Sequence, residues 1–128
     1  MAHATATIGN TPYAVSVRAG NHDLVADEPP KLGGQDAGPA PYDLLLASLG
    51  ACTAITLKMY ADRKQWAFST VRVELMHRKE NDRSRIERTL FIEGDLSPEQ
   101  RQRMAEIAEK TPVTLTLKAG ADIHTTLA

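Results

Sequence analysis

The sequence predicts an α+β domain built on one long apolar helix. Three observations predict it: short β-rich segments crowd the first quarter, an uncharged run from Leu44 to Leu57 occupies the middle, and two amphipathic strands joined by a charged turn follow. The order β-β-β, long α, β-β, α, short α, β lacks the regular β-α alternation of a doubly wound sheet. At 128 residues the chain is long enough for one domain, 1–128, with a real core.

Taken in order, "ATATI", "YAVSVR" and "LVADE" are short strand candidates, separated by the turn material "GNT" and "AGNHD". The Pro- and Gly-rich stretch from Pro29 to Pro41 reads as a loop or linker leading to the long helix. That helix is expected to begin at Pro41, since proline is tolerated where an N–H has no partner anyway. Asp43 falls in its first turn, and Lys58, Arg63 and Lys64 suit its negative end. Its apolar residues run nearly all the way round, so it must be enclosed on every side, which points to a second copy of the chain as cover.

After "QWAF", Val71, Val73 and Leu75 share one strand face, and Ile86, Leu90 and Ile92 share another. With "KENDR" between them they form a hairpin. Ser97, Pro98 and Gln100 match a capping box with proline at the first helical position. Met104, Ile107 and Ala108 supply that helix's apolar stripe. Thr111-Pro112 reads as a second cap, opening a short helix "PVTLTL" that Gly120 ends, and "DIHTTL" reads as a closing strand.

Composition narrows the function. Sixteen acidic against 15 basic residues, interleaved as in "RKENDRSRIER", give no electrostatic case for nucleic acid. A single cysteine excludes an intrachain disulfide framework and a multi-thiolate zinc site. His77 and His124 lack metal-ligand spacing, and "LGGQDAG" lacks that of a phosphate loop, so neither metal nor cofactor is expected. The start "MAHATATIGN" has no basic and apolar leader, and the run from Leu44 to Leu57 falls short of the roughly 20 residues that cross a bilayer. A cytoplasmic protein without membrane attachment is expected.

The lone thiol, Cys52, lies within that run. Steps of four place Ser48, Cys52, Thr56 and Tyr60 on one row, gathering the segment's polar side chains around the sulfur. Such a cysteine is either a small buried hydrophobe or a nucleophile, and the second role needs a positive group brought in from elsewhere. Arg18, opposite Val15 and Val17 at a strand end, is a candidate, and His22 in the next turn is another.

The stretch "VADEPPKLGGQDAGPAPYDLLLASLGACTAITLKMYADRK" resembles the OsmC/Ohr family in its Gly/Pro loop, proline-started helix and alanine-cysteine step. The downstream hairpin, capped helix and "EKTPVTLTL" follow the same plan. The resemblance implies an OsmC-like fold, with central helices packed in an intertwined homodimer whose sheets are completed by the partner chain. It also implies thiol peroxidase activity on organic hydroperoxides. Cys52 matches the peroxidatic cysteine, Arg18 is the nearest candidate for the activating arginine, and Asp43 is the carboxylate nearest the activating glutamate, whose place Tyr42 takes. Asp43 lies one residue along, about 100° round the helix. Where the family has a second, resolving cysteine this chain has Thr111. The expected activity is therefore a one-cysteine peroxidase resolved by an external thiol reductant. A non-catalytic module for a small apolar ligand, or a redox sensor, is the alternative.

Overall fold

The computed structural model describes residues 1–128. The chain divides into two compact units, Met1–Leu45 and Leu46–Ala128.

In the first unit, strands β1 (Ala4–Ile8), β2 (Val15–Ala19) and β3 (His22–Ala26) form an antiparallel sheet in the order β1-β2-β3. All three expected strands are present, each within two residues of its expected bounds. The segment after β3 is more ordered than a linker. Asp27, 2% exposed, accepts N–H bonds from Glu28 (2.7 Å), Gln35 (3.1 Å) and Ala37 (3.1 Å), so the loop winds round one carboxylate. Those backbone donors, Ala37 foremost, hold the Asp27 carboxyl below its ordinary range. The loop can close this tightly because two positions lack a side chain. A Cβ on Gly34 would lie 1.9 Å from the Glu28 carbonyl oxygen, and one on Gly38 would lie 2.0 Å from that of Val25.

Helix α1 runs from Pro41 to Lys64, with the start and length expected of it. Asp43 Oδ2 accepts the Ala40 N–H at 3.1 Å and so secures the helix entry. By length and composition this helix could cross a membrane, although its uncharged run alone is too short. Instead one row, Leu49, Thr53, Leu57 and Ala61, is buried within the second unit.

That unit adds the hairpin β4 (Ala67–Glu80) and β5 (Arg83–Asp95), then helices α2 (Pro98–Ala108) and α3 (Pro112–Ala119). Asn81 and Asp82 turn the hairpin with φ of 52° and 64°, a left-handed pair that these residue types tolerate. Leu57, Ala61, Leu96 and Met104 form the core, with Trp66, Val71, Leu90 and Ile92 packed on it. Each large side chain so buried contributes about 1.5–3 kcal/mol. The capping box at the start of α2 is present in both halves, Ser97 Oγ accepting from Gln100 N and Gln100 Oε1 from Ser97 N.

Two expectations fail. Residues 122–127 form no strand, and Ile123 and Leu127 stand exposed, because alternation cannot supply the neighbouring strand that a ladder requires. Thr111 occupies the N-cap position of α3, but its side chain makes no capping bond.

Candidate active site

What finishes the first turn of α3 is the sulfur of another helix. Cys52 is half-buried on α1, and its Sγ accepts the Val113 N–H at 3.4 Å. Val113 is the second residue of α3, a position whose N–H has no intrahelical acceptor and is commonly taken by a capping oxygen. Thr111 makes no such bond, and its buried hydroxyl pairs instead with that of Thr114 at 2.6 Å. The thiol thus sits at the positive end of α3, where negative charge is favoured by about 0.3–1 kcal/mol at exposed sites and more when partly buried.

The second feature is a guanidinium on the inner face of β5. The Arg88 side chain is 11% exposed. Its Nη1 donates to Thr53 Oγ1 (3.0 Å) and Thr114 Oγ1 (2.9 Å), and its Nη2 to the Ala108 carbonyl (2.8 Å) and Glu109 Oε2 (3.0 Å). Thr53 also donates to the Leu49 carbonyl at 2.7 Å. Glu109 is shared with Lys118 at 2.8 Å. Lys118, with Arg88 behind it, holds the Glu109 carboxyl below its ordinary range. No buried side-chain nitrogen or oxygen in this cluster lacks a partner.

The residues singled out from the sequence fall elsewhere. Arg18 on β2 is exposed and paired with Asp23 of β3 at 2.9 Å, directly across the register. Asp43 is engaged at the entry of α1. On the row through Cys52, the Tyr60 hydroxyl accepts from Arg103 Nε at 3.2 Å. Thr53 shows that this row does not gather all the polar side chains, since it lies one residue off it and is fully buried. His77 pairs with Ser84 at 3.0 Å. No cluster of three or more His, Cys, Asp or Glu side chains is placed to hold a metal ion. Arg88 was the missed residue, and its signal was present. Period-two alternation places it between Ile86 and Leu90 on the apolar face of β5, where a charge calls for an explanation.

The family model described as OsmC-like protein matches residues 33–126, most of the chain, with the larger part of the Gly/Pro loop, α1, the hairpin, α2 and α3 inside the match. The chain belongs to the OsmC family. Solved structures agree with the fold. An OsmC-like protein from Mycoplasma pneumoniae superposes with a TM-score of 0.80 at 18% identity, over 92% of this chain and 87% of that one. An organic hydroperoxide resistance protein OsmC from Legionella pneumophila gives 0.65 at 19% identity, over 92% and 89%. An organic hydroperoxide resistance protein from Elizabethkingia anophelis gives 0.65 at 25% identity, over 91% and 87%. No curated protein matches. The α+β fold, with the long helix α1 and its antiparallel sheets, is thus the OsmC-like fold.

Proposed function

We propose that this OsmC family member is a one-cysteine thiol peroxidase acting on organic hydroperoxides, part of a cytoplasmic antioxidant response. The observation that carries the reading is the lone thiol resting on the first turn of α3 at Val113. In the reaction the Cys52 thiolate attacks the O–O bond and takes one oxygen. It becomes a sulfenic acid while the peroxide leaves as an alcohol. One external thiol condenses with the sulfenic acid, releasing water and leaving a mixed disulfide. A second external thiol restores Cys52 and departs as its own disulfide. Thr111, with no sulfur, takes no part in resolution.

The working form is a homodimer. Ala51, Ile55 and Met59, at steps of four along α1, form an exposed apolar row, with Ile55 54% and Met59 60% exposed. Water contact along such a row is relieved by a second copy. Arg18 is proposed as the activating cation, reached by giving up its exposed pair with Asp23, which costs about 1 kcal/mol or less. Asp43 supports the site by holding the start of α1.

The test mixes the protein with an alkyl hydroperoxide and traps sulfenic acid with a dimedone-type reagent. A Cys52 adduct, alcohol formed in step with added thiol, and loss of both in Cys52→Ser are expected. Arg18→Ala is expected to slow turnover by about 100-fold, the lower end for a group that acts on the reacting atoms. Absence of the adduct, with no turnover by any thiol, ends the proposal.

A further inference from the structure

We infer that Arg88 is a positioning residue for Cys52: by bonding Thr53 on α1 and Thr114 on α3 at once, it holds the start of α3 on the sulfur. The inference rests on the reading of Cys52 as a reactive thiol, but not on which electrophile it meets.

The connectivity is a closed triangle. Thr53 follows Cys52 in the chain, Thr114 follows Val113, and the Val113 N–H rests on Cys52 Sγ. One planar group bonds both threonine hydroxyls through the same nitrogen, so the two helices are registered to each other at the thiol. Remove that link and only a weak N–H to sulfur contact spans α1 and α3 at this point. Thr111 reinforces the arrangement, since its hydroxyl is turned to Thr114 and leaves the Val113 N–H to the sulfur.

Packing alone gives a poor reason for the arginine. Its neighbours on the strand face are Ile86 and Leu90, and an apolar residue there would avoid desolvating a charge. The Ala108 carbonyl, at the end of α2, takes only one of the four bonds. Glu109 and Lys118 are the other charged groups of the cluster, and Glu109 orients the guanidinium from the solvent side. Lysine, a single point donor, cannot reproduce the fork that reaches Thr53, Thr114, Ala108 and Glu109 together.

The experiment measures the rate of Cys52 alkylation by iodoacetamide from neutral to alkaline pH, in the full chain without hydroperoxide. In Arg88→Lys and Thr114→Val the rate at neutral pH is expected to fall about tenfold and the profile to move to higher pH, the size of effect that one charge-assisted hydrogen bond carries. Thr114→Ser, which keeps the hydroxyl, is expected to restore the wild-type profile. Leu96→Ala, a core truncation outside the triangle, loosens the fold and is expected to leave the profile in place. Should Arg88→Lys fail to fold, the Thr114→Val and Thr114→Ser pair decides alone. Unmoved profiles in folded variants, or an equal move in Leu96→Ala, overturn the inference. If the profiles move while wild-type protein turns over no hydroperoxide, the peroxidase reading falls and the positioning role stands. If turnover is present and the profiles do not move, the positioning role falls alone.

Discussion

Each unit of the chain buries one charge, and the two are satisfied in opposite ways. Asp27 is satisfied by backbone N–H groups of its own loop, none more than ten residues away. Arg88 is satisfied by groups 20 to 35 residues away, drawn from α1, the end of α2 and α3. A charge met by local backbone dictates the shape of one segment. A charge met by side chains from distant elements ties those elements to one another, so disturbing it is felt wherever they meet, Cys52 included.

The comparison can be broken by removing each centre. Arg88→Ala takes a donor from two buried threonine hydroxyls and from the Ala108 carbonyl, which keeps its bond from Thr114, and is expected to cost about 3 kcal/mol in denaturant unfolding, with Cys52 alkylation altered as well. Gly34→Ala, which forces a Cβ against the Glu28 carbonyl, is expected to cost about 1–3 kcal/mol and to disturb amide exchange within residues 27–40 only. A change in Cys52 reactivity in that variant would erase the distinction between the two centres. The smallest effect is the response to acid. Asp27 and Glu109 both titrate below their ordinary values in the folded chain, so their stabilisation is complete above the unfolded values and is lost as pH falls through the lowered ones. Glu109→Gln is expected to flatten part of that acid limb of the stability curve, and Asp27→Asn another part. Superimposable curves for wild type and both variants would contradict the assignment.

Much of the architecture was legible from the residues. Pro41 marks the start of α1 because proline's missing N–H is harmless only there. The hairpin follows from alternation on both sides of a charged turn, and Ser97 with Gln100 announces α2. These are local rules, and they held where the partners are local. They failed where a partner lies far along the chain. The segment "DIHTTL" alternates like a strand and has no neighbouring strand within the chain to join. Thr111 precedes proline as a cap should, yet a sulfur 59 positions upstream takes the bond. The loop after β3 looked like a linker because nothing in its composition shows that Asp27 gathers its amides. Arg88 belongs to an intermediate class. Its place on an apolar face was countable, whereas its targets, Thr53 and Thr114, became visible only once α1 and α3 were brought together.

The sulfur at the start of α3 has a practical consequence for anyone who wishes to tag this protein. A fluorophore, spin label or affinity handle attached through its only thiol would occupy the acceptor that the Val113 amide uses, so the reporter would alter the geometry it was meant to observe. Probes intended to be silent belong at an introduced cysteine on the hairpin tip, with the native one left untouched.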